Sequence, residues 1–265
     1  MTPPTKPEIA AAFEAASELY DTGPLRFWDH FGARAVDRAA LHPGEHVLDV
    51  CCGAGASAVP AAHAVAPGGR VTGVDLTPAM LDLARAKAAG CGVTNIAFQQ
   101  GDFDSAELPP GSFDAVVCVF GLFFFPDMPG ALRKMWSLVR PGGRLVIVTW
   151  GAGAFEPAHT LFLDALHRER PDLAQVNSPR VRLTDPSELG RVFAAAGVTG
   201  VEIASEDAGH QLASAEDWWT IVMGTAHRGR VDRLAPDQRD RVRRACLTLT
   251  ARTLQMPALF ALARK

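Results

Sequence analysis

The sequence contains no run of about 18 apolar residues, so no membrane-spanning helix is expected. The opening MTPPTKPEIA lacks an apolar stretch behind a basic start, and a secretory leader is not expected either. CxxC pairs are missing. The five cysteines, Cys51, Cys52, Cys91, Cys118 and Cys246, are odd in number, and three of them fall in runs that read as buried strands. That usage suits free thiols in a reducing, cytoplasmic setting. Cys51 and Cys52 are neighbours and would face opposite sides of a strand, so no metal site is expected there. A basic surplus is also lacking: 26 Lys and Arg stand against 29 Asp and Glu, a formal net charge of -3. Affinity for nucleic acid rests on Lys and Arg meeting phosphates, so a nucleic-acid partner is not expected.

What the sequence does contain is ordinary globular material, 48% hydrophobic and 21% charged, in 265 residues. That length fits one large domain. Residues 1–7 read as loose, while 8–20 and much of 25–41 have helical spacing. Strand-like and helical runs then alternate. VLDVC (47–51) leads to an Ala-rich helix near 56–66. RVTGVDL (70–76) leads to a helix opened by Pro78 and capped near Gly90. NIAFQQGD (95–102) and FDAVVCVF (113–120) follow, then a helix near 129–139 and the strand RLVIVTW (144–150). Strand–helix alternation of this kind predicts an α/β, doubly wound sheet covered on both faces. After Trp150 the rhythm changes. Helices are expected near 156–169, at 186–197 and over much of 214–253, with strands at 198–212 and 257–265. The expected organisation is a single domain, 1–265. An N-terminal helical segment (8–41) precedes a core (42–150), and cap insertions occupy 151–184 and 213–255.

The stretch VLDVCCGAGAS (47–57) runs from a strand into a glycine turn. Gly53 and Gly55 allow a ligand to approach the backbone, and the helix that follows offers free N–H groups. The segment Gly53–Ala58 satisfies the G-x-G-x-x-A dinucleotide fingerprint, and Asp75 at the end of the second strand could accept from ribose hydroxyls. On the turn alone, a dinucleotide and S-adenosylmethionine (SAM) are equally served. Three features favour SAM. Asp49, four residues before Gly53, suits a ligand with an ammonium and a sulfonium but would repel a pyrophosphate. Gly101-Asp102-Phe103 follows the third strand, where the acid can accept from an adenine amino group and the ring can pack on the base. Val139-Arg140-Pro141-Gly142-Gly143 precedes the fifth strand.

VLDVCCGAG, GVDLTPAML, QGDFD, FDAVVCVFGL and LVRPGGRLVIVTW, in this order and spacing, resemble the class I SAM-dependent methyltransferases, and most of all the branch around the ubiquinone/menaquinone C-methyltransferases. The resemblance covers about residues 40–150. It implies a seven-stranded Rossmann-like sheet whose last strand, here PALFALARK, is antiparallel. It also implies SAM as cofactor and S-adenosylhomocysteine as product. Residue by residue, Asp49, Gly53 and Gly55 would line the methionine end. Asp75 would hold the ribose, with Leu76 packing on adenine and Met80 approaching from the next helix. Asp102 would accept from the adenine amine beside Phe103, the backbone near Val119 would meet the ammonium, and Tyr20 would close over the carboxylate. The bland alternatives are helix caps for Asp75 and Asp102 and core packing for Met80 and Phe103.

Methyl transfer from a sulfonium needs alignment and exclusion of water, and a base only where the nucleophile must lose a proton. The fourth-strand exit, CVFGLFFFPD, carries Phe120, Phe123, Phe124 and Phe125 and reads as an apolar wall for a small molecule. FFF stands where quinone methyltransferases carry a polar continuation, which argues against a quinone substrate. Trp28, Phe123, His159 and His210 are candidate substrate-binding residues. His30, His159, His210 and His227 are candidate bases, none of them assigned. Trp218 and Trp219 are candidate cap-lining residues. The stretch 227–244 holds seven arginines and three aspartates. It reads as a solvated helix face, with Asp240 and Arg244 spaced to pair, or as an anion-sensing cap. The expected activity is methylation of an O, N or C acceptor on a small molecule. The rivals are a non-catalytic SAM-binding protein and an NAD-dependent oxidoreductase.

Overall fold

A computed structural model describes residues 5–174 and 183–265. Seven strands form one sheet in the order β3-β2-β1-β4-β5-β7-β6. They are β1 (His46–Val50), β2 (Arg70–Asp75), β3 (Ile96–Gln100), β4 (Phe113–Val119), β5 (Val139–Trp150), β6 (Glu202–Gln211) and β7 (Thr253–Arg264). β1 to β5 pair in parallel, and β7 inserts antiparallel between β5 and β6. The antiparallel last strand matches the expectation, and it begins four residues earlier than PALFALARK. The helices are α1 (Lys6–Tyr20), α2 (Phe27–Ala39), α3 (Ala58–Val65), α4 (Pro78–Gly90), α5 (Met128–Leu138), α6 (Ala158–Glu169), α7 (Pro186–Ala195), α8 (Ala215–Met223), α9 (Arg228–Val231) and α10 (Pro236–Cys246).

Strand alternation divides the core between the two faces. Val47, Ala115, Val117, Val146 and Val148 pack on one side, against Phe31 and Ala35 of α2 and Ala58, Ala61 and Val65 of α3. Leu48, Val116, Leu145 and Ile147 pack on the other, against Leu132 and Met135 of α5 and Leu189 and Phe193 of α7. The chain crosses from β3 at one edge to β4 beside β1, so the winding reverses between β1 and β4. Ligands of open α/β sheets sit at the strand ends beside such a switch point.

Several boundaries differ from the sequence reading. β1 ends at Val50, and Cys51 enters the turn with a left-handed φ of 58°. Cys51 and Cys52 therefore do not alternate across a strand. The Cys51 side chain leans toward Cys118 on β4: a Cβ added at Gly121 would meet Cys51 Sγ at 3.0 Å and Cys118 Sγ at 2.8 Å. RPGG (140–143) is an irregular segment within β5, which pairs with β4 at Phe113–Val139 and then shifts register before Ala115–Arg144. α4 runs through Gly90, and the left-handed residue past its end is Gly92. Much of the Pro/Asn loop expected after α6 lies outside the described residues.

Candidate functional site

At the tip of β1, Gly53 and Gly55 adopt φ of 50° and 81°, conformations that favour glycine. The two glycines serve different ends. A Cβ at Gly55 would press on Ala84 of α4 at 3.3 Å, so this position is small to let two helices close. A Cβ at Gly53 would meet only the Tyr20 hydroxyl, at 3.7 Å. Gly53 thus fronts open space roofed by Tyr20.

Asp49 and Asp75 flank this turn. Asp49 is fully buried. Its Oδ2 accepts from Ser57 Oγ at 2.7 Å, and its Oδ1 has no hydrogen-bond partner. Burial pushes the Asp49 carboxyl up to about 7, with the Ser57 bond offsetting part of the effect and the Asp75 charge adding to it. A buried, half-satisfied carboxyl is costly unless a cation meets it. Asp75 Oδ2 accepts the Gly53 N–H and its Oδ1 accepts the Thr77 N–H, both at 2.9 Å. Burial raises the Asp75 carboxyl and these N–H groups work against it. Asp75 is therefore not the cap residue of α4, a position held by Thr77. It ties the glycine turn to the tip of β2. The Asp75 carbonyl also accepts the Gly101 N–H at 2.9 Å, which brings the β3 exit beside it.

Asp102, one residue past Gly101, is engaged from outside. Lys6 Nζ donates to both of its oxygens at 2.7 Å and to Asp104 at 2.5 Å. Burial works to raise the Asp102 carboxyl, but the Lys6 and Asp104 N–H hydrogen bonds and the Lys6 and Lys134 charges together outweigh it and hold the group below the usual carboxylate range. Asp102 also accepts the Asp104 N–H at 3.0 Å, so it shapes its own turn. Nothing in the sequence signalled Lys6. Its partner lies 96 residues away, beyond the reach of any local pattern.

The remaining cofactor candidates divide. Leu76 and Val119 are half-buried at the tips of β2 and β4. Met80 is only 2% exposed and Phe103 3%. The Phe103 ring lies in the core against Phe125, with centroids 5.9 Å apart, and the Lys134 ammonium stands 4.9 Å from it. Tyr20 stacks on Trp28 with centroids 5.5 Å apart and planes 7° from parallel. Burial drives its hydroxyl pKa up, reinforced by the charges of Asp75 and Asp29.

The N-terminal segment is fastened over the strand tips. Lys87 of α4 bridges Asp21 at 2.9 Å and Asp29 at 2.6 Å. Glu14 accepts the Ala79 N–H at 3.3 Å, and Arg228 of α9 donates to the Ala15 carbonyl at 2.5 Å. Beneath it lies an aromatic floor. Phe120, in a left-handed conformation at the β4 exit, stacks on Trp150 at 4.0 Å, and Trp28 meets both rings. Phe13 of α1 meets Phe124 edge-on at 5.5 Å, with Phe123 adjacent. Of the four phenylalanines expected to form a wall, Phe123 and Phe124 are half-buried, whereas Phe125 belongs to the core beneath the sheet.

The histidines do not converge. His210 and His30 line a cleft of about 280 Å³ between α2 and β6, with Phe27 between it and Trp28. β6 is the sheet edge, two strands beyond β5, so His210 stands apart from the glycine turn. Burial lowers its pKa, and its Nε2 is buried without a hydrogen-bond partner. His159 of α6 and His227 before α9 face one another with centroids 5.2 Å apart. Trp218 and Trp219 are buried core residues. The arginine-rich stretch is mostly paired: Arg241 with Glu169 and Asp237, Arg243 with Glu216, and Arg228 with Asp232. Asp240 and Arg244 form no ion pair among the described residues.

Comparison with known proteins agrees with this geometry. A family described as "Methyltransferase domain" matches residues 47–143, which run from β1 through the RPGG segment. The chain is 36% identical to aklanonic acid methyltransferase DauC of Streptomyces sp. (strain C5), over 57% of this chain and 69% of that protein. It is 38% identical to the demethylmenaquinone methyltransferase of Deinococcus radiodurans, over 53% of this chain and 56% of that one. Among solved structures, the YcgJ protein from Bacillus subtilis superposes with a TM-score of 0.60 at 23% identity, covering 89% of this chain and 98% of that one. The chain belongs to the class I SAM-dependent methyltransferase family, near the ubiquinone/menaquinone C-methyltransferase branch. Its cofactor is SAM, which decides the glycine turn against a dinucleotide. The residues present fit that donor: one oxygen of the buried Asp49 carboxyl has no hydrogen-bond partner, and the space before Gly53 is open but for the Tyr20 hydroxyl.

Proposed function

We propose that the protein methylates an oxygen or carbon nucleophile on an apolar, ring-bearing small molecule, in the cytoplasm and without a nucleic-acid partner. The observation that carries this reading is the aromatic lining at the β4 and β5 tips: Phe13, Tyr20, Trp28, Phe120, Phe123 and Phe124 gathered beside the glycine turn. Aromatic faces hold flat apolar molecules and exclude water from the reacting atoms. The two relatives are named for aklanonic acid and demethylmenaquinone, both organic small molecules.

SAM, when bound, supplies a methyl group already activated by its sulfonium. The chain supplies alignment. Asp49 faces the positive charge of the methionine end, with Gly53 and Gly55 leaving space for it and Tyr20 and the Val119 backbone closing around it. Asp75 accepts from the ribose and Leu76 packs on the adenine. Asp102 accepts from the adenine amine once Lys6 releases it. Met80 and Phe103 act from behind, as the packed support of that pocket. Trp28 and Phe123 bear on the acceptor, with His159 at its far side. His210 is left out of this constellation, because its cleft lies on the other side of Phe27.

The test is calorimetric titration with SAM and S-adenosylhomocysteine, followed by turnover across a panel of hydroxylated aromatic acceptors. Micromolar binding and turnover that falls in Phe123→Ala are expected. Absence of binding removes the cofactor assignments. Binding without turnover on any acceptor favours a SAM-binding protein that transfers nothing.

A further inference from the structure

Arg230 is the one member of the arginine-rich stretch that is half-buried and takes part in no ion pair or side-chain hydrogen bond among the described residues. The residues outside the description, 1–4 and 175–182, contain no Asp or Glu, so they offer no side-chain carboxylate either. The nearest acids in sequence are committed elsewhere: Asp232 pairs with Arg228 at 3.2 Å and meets Arg239 at 3.9 Å. Burial pulls the Arg230 pKa down with no opposing charge to restore it. A half-buried guanidinium with no protein partner is satisfied by water or by a ligand that supplies the counter-charge.

The direction of Arg230 follows from the helix. His227 lies three residues earlier in helical backbone, and its carbonyl accepts the Arg230 N–H at 2.9 Å, so the two side chains share a face of α9. His227 packs on His159 and Phe162 of α6, each with ring centroids 5.2 Å away. The other sides of α9 are taken. Gly229 abuts Ala12 of α1, Arg228 reaches the Ala15 carbonyl, and Val231 enters the core. The shared face of Arg230 and His227 is therefore turned to the region between α1, which roofs the β4 tip through Phe13 and Phe124, and α6, which starts just beyond the β5 tip. Glu156 stands 3.9 Å from His159 and accepts from the Thr160 hydroxyl at 2.9 Å.

We infer that Arg230, on the face of α9 that it shares with His227, binds an oxyanion carried by the methyl acceptor, a carboxylate or a phosphate on the apolar ring system. This rests on the functional reading above and narrows its substrate class. A guanidinium suits either oxyanion, since its planar fork gives two parallel hydrogen bonds.

Three probes test it by calorimetry in the presence of saturating S-adenosylhomocysteine: 3-hydroxy-2-naphthoate, its neutral carboxamide, and 2-naphthyl phosphate. The wild-type protein is expected to bind an oxyanion probe at least about tenfold more tightly than the carboxamide, as a charge-assisted pair provides. The stronger of the two anions identifies the group. Arg230→Gln should erase the preference and leave S-adenosylhomocysteine affinity unchanged, while Arg230→Lys keeps part of it. Equal binding of anion and amide, no binding by any probe at about 10 mM, or a preference that survives in Arg230→Gln overturns the proposal. So does a matching loss of S-adenosylhomocysteine affinity in that variant, which would assign Arg230 to the donor's carboxylate. Failure of the wild-type protein to bind S-adenosylhomocysteine is read separately and removes the cofactor assignments instead.

Discussion

Lys6 donates to both oxygens of Asp102 at 2.7 Å, and so engages the carboxylate proposed to accept from the adenine amine. Both side chains are about one-third exposed or less, at 26% and 33%, so the pair is worth under about 1 kcal/mol. Its consequence is positional: the first residue of α1 is fastened to the exit of β3.

Lys6→Ala should therefore speed SAM association and raise affinity by roughly two- to fivefold, the range given by about 0.5–1 kcal/mol for an exposed pair. Added salt should move the wild-type protein toward the variant by screening. Stopped-flow fluorescence of Trp28, which stacks on Tyr20, reads the rate. Equal rates in both proteins would mean that α1 does not gate the crevice.

Asp49 makes stability depend on pH. Its carboxyl is raised from 3.8 to about 7 on folding, so protonation favours the folded state. That contribution is full below about pH 4 and is lost as pH rises through about 7. Asp49→Asn cannot ionise, and its melting temperature minus that of the wild-type protein should grow more positive between pH 4 and 8. SAM binding should show the reverse slope in the wild-type protein. The cationic donor favours the ionised carboxyl, so affinity climbs toward pH 7 and a proton is released on binding. Calorimetry in two buffers of different ionisation enthalpy measures that proton, and none taken up or released would contradict the assignment.

Asp75 carries two loads, and they can be separated. Asp75→Ala should weaken SAM binding by about 1–3 kcal/mol, as expected for lost charge-assisted hydrogen bonds. It should also lower the melting temperature, because the Gly53 and Thr77 N–H groups lose their acceptor. Asp75→Asn keeps an oxygen for one of them and should recover part of the stability while remaining weak toward SAM. A variant that binds SAM normally would break the link to the ribose.

Gly32 shows how tightly the N-terminal segment is seated. A Cβ there would lie 2.1 Å from the Ala56 carbonyl oxygen, a backbone atom that cannot swing aside. Gly32→Ala should cost about 3 kcal/mol, at the upper end of ordinary overpacking, and should loosen SAM binding by shifting the glycine turn. Thermal unfolding and titration together check both. A stable variant that still binds would show that α2 can move without the turn.

Much of the sheet was legible because buried parallel strands are short apolar runs punctuated by glycine and proline. VLDVC and FDAVVCVF each match a strand to within a residue, and RLVIVTW forms the end of β5, which begins at Val139. Leu48 and Val116 fall on one face and Val47 and Val117 on the other, as alternation requires. The same local logic singled out Asp49, Asp75 and Asp102, which lie within, at and just past the ends of β1, β2 and β3. It failed where a local pattern has two readings. CC after VLDV continues an apolar run, yet Cys51 turns to positive φ and leans on Cys118 of a neighbouring strand. An arginine-rich helix looks like a solvated surface, and for Arg241 and Arg243 it is one. Arg230 differs only because of what packs around α9.

The sequence by itself determined the order of strands and helices, the glycine turn and the acids near the ends of three successive strands, because each depends on chemistry within a few residues. Only the tertiary structure decided which of these groups meet: Lys6 upon Asp102, Tyr20 over Gly53, and His210 removed to an outer cleft. Those outcomes depend on contacts between segments far apart in the chain, and periodicity holds no information about which distant side chains will share a neighbourhood once the sheet has wound.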